Sequence, residues 1–377
     1  MGQFDEALRG RRLYVGTHRR AQRADPEDIA FGIYEFEAND GLLTGGNLVE
    51  TPQPGWIAAH PNTQVLYATN EVRELDGKAG GSVSAFAIEP HKGSLSLLNT
   101  RRTPPLPCHC EVDAGGRFLL VATFGGGSVH LFPLMPDGRL APEADAHRHT
   151  GSSVHPRRQT EPHAHAVAID PRNCFVLVPD LGIDQVLVYE LDAARLKLIP
   201  RPEQGICLPP GSGPRHLTFG GGGTHAYLMN EMSATISVFA YTSATGGLTP
   251  IQTADLLPEG FAGHRSGAAI ALHPHGRTLY ATTRSRTSSG LPPKPGLDSL
   301  VWFDLDGETG RIELKGSISS GGEIPRSFTF DNSGEYLFVG HQGSGTLVTF
   351  RLDPLTGRPH PTGQVVQTPV PVCLRLL

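Results

Sequence analysis

The sequence predicts an all-β chain in which 377 residues close into a ring of seven four-stranded blades, a seven-bladed β-propeller forming one domain over residues 1–377. Three observations predict it. An apolar doublet opening a short strand occurs seven times, at intervals of 50 to 58 residues; its second members are Tyr14, Tyr67, Leu120, Leu177, Tyr227, Tyr280 and Phe338. Each doublet is followed by a strand of alternating apolar and polar residues, as in "GSVSAFAIE" and "DQVLVYELD", the pattern of half-buried antiparallel sheet. A further strand precedes six of the seven doublets, and the missing copy lies at the far end of the chain in "PVCLRLL".

In each copy the preceding strand is innermost: "PGWIAAHP", "PCHCEVDA", "AHAVAIDP", "PRHLTFGG", "GAAIALHP" and "PRSFTFDN". The doublet strand, the alternating strand and a short strand after a Gly-centred turn such as "PDGRLAP" complete the blade. The C-terminal residues 368–377 are expected to pair with Leu13 to Thr17, closing the ring and removing its open edges. Two unrelated β-sandwiches would supply the strands but not the in-register copies.

Composition narrows the function. A net charge of -5 and a pI near 6.4 give no basic field for nucleic acid or anionic membrane. No apolar run approaches the ~20 residues of a membrane span, and "MGQFDEALRGRRLYVGT" lacks the apolar core of a signal peptide. Five cysteines without framework spacing suit reduced thiols and a cytoplasmic setting. A monomer or weak homo-oligomer is expected.

Stacking the copies identifies two rings at one mouth of the central channel. The inner strands contribute Gly55, Cys108, His165, Arg215, Ala268, Arg326 and Val372. Four residues past the doublets come His18, Glu71, Phe124, Leu181, Glu231, Arg284 and Gln342. The charged members, with Asp180 nearby and His163 two residues before His165, point to a shared site rather than a polar channel filled with water. Arginine matches carboxylate and phosphate, so Arg215, Arg284 and Arg326 suit an anionic substrate or an oxyanion. Glu231 or His165 is the natural general base, while His216 alternates to the other face as a structural residue. No serine stands in a convincing Ser-His-Asp context. "FGGGSV" and "FGGGGTH" lack the Lys and helix of a phosphate loop, and "CHC" at Cys108–Cys110 lacks a second metal pair.

The segments "PHAH", "GSGPRHLTF", "YLMNEMSATISVF", "PRSFTFDNSGEYLFVGHQ" and "VPVCL" carry a resemblance to the seven-bladed propeller lactonase family, whose best-known activity is that of bacterial 6-phosphogluconolactonase; the fungal carboxymuconate cycloisomerase shares the fold. The resemblance implies a site on His163 or His165, Arg215, Glu231 and Arg284. It departs at Ala269, where relatives carry an acid, and at "TTRSR". The retained "RRQ" adds Arg158 and Gln159 to the basic rim. The expected reaction is cofactor-free hydrolysis of an anionic sugar-acid lactone such as 6-phosphogluconolactone. Catalysis falls to Glu231, His165, Arg215 and Arg284, and substrate binding to His163, Arg326, Glu71, Asp180, Arg158 and Gln159. The alternatives are a cycloisomerase or lyase-like enzyme acting on a polycarboxylate or natural-product lactone, a calcium-dependent lactonase with Asn70, Glu71, Asp180, Asn230 and Glu231 as oxygen ligands, and a non-catalytic scaffold.

Overall fold

The alternation read in the sequence becomes antiparallel sheet throughout. A computed structural model describes residues 12–19, 31–285 and 297–377; residues 1–11 and Arg286 of the "TTRSR" segment lie outside the described residues. Seven sheets surround a central channel, each wound from the inside outward. Blade 1 is the split one: Pro371–Leu376 is innermost, then Arg12–Thr17, Gly32–Asn39 and Leu42–Glu50. The closing register pairs Leu13 with Leu376 and Val15 with Leu374. Blades 2, 3, 5, 6 and 7 begin at Pro54, Pro107, Pro214, Gly267 and Pro325. Blade 4 has a short regular inner strand, Ala168–Ile169, and His163 and His165 precede it in irregular backbone. Among the described residues no helix is long and apolar enough to cross a membrane.

The core is divided as the repeat is divided. Seven buried apolar clusters each join one blade to the next, and the last two tie blade 7 to blade 1 and blade 1 to blade 2. The tyrosines of the doublets add a polar link across the same interfaces. Tyr14, Tyr67 and Tyr227 donate to the carbonyls of Gly93, Gly138 and Gly310 at 2.7, 2.8 and 3.0 Å, and Tyr280 donates to Gly357. Each acceptor sits in the outer hairpin turn of the following blade, where positive φ favours glycine. One such bond contributes about 1 kcal/mol.

The inner strands carry the feature that builds the channel mouth. The sheet register skips a residue between Pro54 and Trp56, Pro107 and His109, Pro214 and His216, and Pro325 and Ser327. The same irregularity lies between Gly267 and Ile270, and where blade 1 closes. The skipped residues are bulges that turn a side chain out of the ladder, and they include Gly55, Cys108, Arg215, Ala268, Arg326 and Val372. Before the proline, Gln53, Leu106, Ile324 and Val370 take φ of 42°, 55°, 59° and 21°, and Gly213 takes 65°.

Deleting residues 371–377 should expose the Arg12–Thr17 edge and uncover two interblade clusters. The expected result is loss of cooperative melting and of soluble monodisperse protein, read by thermal unfolding and size-exclusion chromatography. An unchanged melting curve would show that closure contributes nothing.

Candidate active site

One backbone hydrogen bond recurs around the mouth. The amides of His18, Glu71, Phe124, Leu181, Glu231, Arg284 and Gln342 donate to the carbonyls of Val370, Gln53, Leu106, His163, Gly213, Ser266 and Ile324 at 2.7–3.1 Å. Every acceptor lies two residues before the inner-strand ring residue of its blade. The bond therefore seats one residue of each ring beside the other. Their sizes are complementary: a Cβ on Gly55 would lie 2.4 Å from Glu71 Oε2, so glycine there makes room for a glutamate.

These rings enclose a cavity of about 430 Å³ lined by His18, Glu71, Cys108, Phe124, Arg158, His165, Glu231, Arg284 and Arg326, with Arg73, Arg157, His264 and Ser266 among its other walls. A second cavity of about 640 Å³ opens at the other end of the channel. Rings separate the two. His165 meets His216 edge-on at 5.5 Å, and His216 and Trp56 both pack on His109, at 5.4 and 4.2 Å. His216 is thus structural, as its alternation predicts, and accepts from Arg215 Nη1 at 3.0 Å.

Glu231 is the electrostatic centre. Its Oε1 receives Arg158 Nη1 at 2.6 Å, and its Oε2 receives Arg284 Nη2 at 2.5 Å and Arg215 Nε at 3.1 Å. His165 Nε2 stands 3.6 Å away. Burial pushes this carboxyl up, but Arg284 and Arg158, with His165 and Arg215, hold it well below the usual carboxylate range. Burial and the charge of Arg215 push His165 well below the ordinary imidazole value, so it is neutral at neutral pH. Its Nδ1 has no hydrogen-bond partner among the described residues. Burial, with Arg326 close by, lowers Arg215 to about 10, which leaves it protonated at neutral pH.

The site expected from the sequence is only partly assembled. His165, Glu231, Arg284, Glu71, Arg326 and Arg158 line the cavity. Arg215 stands behind the wall, nearly inaccessible, and gives its donors to Glu231, His216 and the Ala268 carbonyl. It positions Glu231 rather than meeting an anion. His163 does not face the cavity: its ring stacks on Phe124 at 4.2 Å and its Nδ1 donates to the Phe124 carbonyl at 2.8 Å. Asp180 is fully buried and accepts from His149 Nδ1 at 2.6 Å and from the His163 amide at 2.7 Å. Gln159 is buried too, donating to the Leu181 carbonyl and accepting from the His155 amide. These three fix the loop that carries Arg158, and their polar atoms are committed to it.

Of the oxygens expected to bind calcium, Asn70 Oδ1 accepts from Thr51, Asp180 accepts from His149 and the His163 amide, and Glu231 is bonded to arginines, while Asn230 Oδ1 and Glu71 Oε2 have no hydrogen-bond partner among the described residues. Among the described residues no three His, Cys, Asp or Glu side chains converge as a metal set. Cys108 donates its Sγ–H to the His165 carbonyl at 3.3 Å, and burial pushes the thiol far up.

Three features escaped the sequence reading. Phe124 stacks on His163 and meets His165 edge-on, so it orients both. His264 enters from a loop outside the repeat register. A Ser-His-acid arrangement also exists, Ser128 Oγ to His130 Nε2 at 2.8 Å and His130 Nδ1 to Glu143 at 2.6 Å. Ser128 is buried, bonded to Thr123 at 2.7 Å, and outside both cavities, so this arrangement stiffens a blade.

A propeller mouth walled by arginine, glutamate and histidine is a candidate small-molecule site. The family described as lactonase, 7-bladed beta-propeller, matches residues 12–376, and the chain belongs to it. The 6-phosphogluconolactonase of Bacillus subtilis is 31% identical over 369 residues, 97% of each protein. That of Formosa agariphila is 31% identical over 332 residues, 87% of this chain and 90% of the relative. The solved structure of a periplasmic gluconolactonase from Pseudomonas aeruginosa is similar with a TM-score of 0.87 and 31% identity, covering 97% of this chain and 99% of that one.

Arg215→Ala should destabilise the fold by about 3 kcal/mol, because it leaves Glu231 buried with fewer cations. Arg158, more than a quarter exposed, should cost less than 1 kcal/mol when truncated. Urea unfolding of both variants checks the ranking.

Proposed function

We propose that the protein hydrolyses a phosphorylated sugar-acid lactone, 6-phosphogluconolactone or a close analogue. The observation that carries the reading is the cavity's charge: five arginines, Arg73, Arg157, Arg158, Arg284 and Arg326, face two glutamates, Glu71 and Glu231. The surplus of positive charge suits a phosphate dianion joined to a carbonyl that becomes an oxyanion. The names of the relatives support the same substrate class.

Arg284 is held rigid by Glu231 on one side and by Ser266 Oγ, at 3.0 Å, on the other. A guanidinium fixed before the reaction begins needs no reorganisation as charge develops on the lactone oxygen. His165, kept neutral, offers a hydrogen bond to the lactone without adding charge. Glu231 is the anchor of the arginines rather than a proton acceptor, since three guanidinium contacts hold its carboxyl well below the usual carboxylate range. Ala269 faces the core between blades 6 and 7 and not the cavity, so the missing acid there removes no charge from the site. The scheme assigns no step to a metal, and the arginines supply the positive charge. The reading includes a cytoplasmic location, supported by five cysteines that stand as free thiols.

The test is a hydrolysis assay over lactones with and without phosphate. The phosphorylated lactone should lead by at least about tenfold in kcat/KM, which is ~1.4 kcal/mol of transition-state discrimination. Arg284→Ala should lose on the order of 10²–10³ in rate, and EDTA treatment should leave it unchanged. Equal rates with and without phosphate, or loss with EDTA restored by calcium, would overturn the reading.

A further inference from the structure

The cavity contains a second carboxylate to which the scheme above gives no task. We propose that Glu71 is the general base that takes the proton from the hydrolytic water; this rests on the lactonase reading. Glu231 and Glu71 occupy the same ring position in blades 5 and 2, but their surroundings differ. Glu231 has three guanidinium contacts at 2.5 to 3.1 Å. The basic groups nearest Glu71 are Arg326 Nη2 and His18 Nε2, each 3.7 Å from Oε2. Both distances exceed a hydrogen bond. Oε2 is buried and accepts no hydrogen bond among the described residues.

A carboxylate in this state is attracted to its neighbours but keeps lone pairs for a water, which a base must do. The position is also built. The Glu71 amide is fixed to the Gln53 carbonyl at 2.9 Å, and the absent side chain of Gly55 leaves the carboxylate its space. The side chain is 16% exposed, so it is a wall of the cavity and not a solvated surface group. The other candidates are weak acceptors: arginines neutralise Glu231, and burial beside Arg215 and Arg326 disfavours protonation of His165.

The step balances within this site. Glu71 takes one proton from water as the water oxygen bonds to the lactone carbonyl carbon, whose π pair moves onto oxygen beside the arginine wall. Collapse of the adduct breaks the ring C–O bond. The departing alkoxide takes the proton back from Glu71, giving the hydroxy acid and restoring the carboxylate.

The experiment uses the full-length protein and whichever lactone the wild type hydrolyses. Glu71→Gln should lower kcat on the order of 10²–10⁴ with KM changed by less than about fivefold, at an unchanged melting temperature. Glu71→Ala should regain rate in proportion to added formate, while Arg284→Ala should not. Gly55→Ala keeps both charges but displaces the carboxylate, and should cost at least about tenfold in kcat. A Glu71→Gln enzyme within about threefold of wild-type kcat, or a Glu71→Ala enzyme unmoved by formate, overturns the role of Glu71 alone. A wild type that turns over no lactone overturns the lactonase reading and this inference with it.

Discussion

The site depends on one hydrogen bond made seven times, from the amide of the residue just past each doublet strand to the carbonyl before the inner-strand bulge. A bulge alone would turn a side chain inward but leave its depth unset. The hydrogen bond sets it, because it holds the end of the next strand against the bulge at a fixed separation. The left-handed residue that precedes the proline follows from the same geometry: the carbonyl has to turn toward that amide. Because the device is backbone, different blades place different side chains at the mouth, within the space their ring neighbours leave. Three blades use that freedom for the small residues Gly55, Cys108 and Ala268, and two for arginine.

What the charged blades do with the freedom is governed by desolvation. Arg215, Arg284 and Glu231 are almost wholly buried. A buried charge is tolerable only with close partners of opposite sign. Glu231 satisfies the arginines, and they satisfy it, so the cluster is stable without a ligand. Its net charge remains positive, and that excess is what an anionic substrate would neutralise. The same logic makes Arg215 a support. Surrounded by Glu231, His216 and a carbonyl, it has no need of a ligand.

Much of the fold and part of the site were legible in the sequence, for different reasons. Blade number and closure follow from a repeat period and an unpaired strand, and Pro371–Leu376 pairs where the unpaired copy requires. The ring positions were legible because equivalent residues in a closed repeat share a radius. The contents of the cavity were not, because position in a ring does not say which polar atoms the neighbours already use. Asp180 sits one residue before the ring, where Asn70, Thr123 and Asn230 also pin their own blades. Its carboxylate is engaged by His149 Nδ1, a partner that ring position alone does not reveal. His163 and His165 share a sequence parity, yet the backbone there pairs only through an isolated bridge at Ala164, and the two rings part around Phe124. Phe124 separates their roles, stacking flat on one and touching the other at its edge.

The ring septum adds a last constraint. His165 is the outermost of a column of rings that continues through His216 to His109 and Trp56. Charging any one of the three histidines would place a cation in a buried column beside Arg215, and burial drives His109 down to about 3 and His216 well below the ordinary value. The column is therefore neutral at neutral pH and closes the cavity floor with aromatic surface. On the proposed reading, a substrate reaching His165 would meet an uncharged aromatic floor beneath a cationic rim. On that reading the anionic end of a bifunctional substrate would be held at the rim, and the less polar lactone would be the part desolvated against the floor.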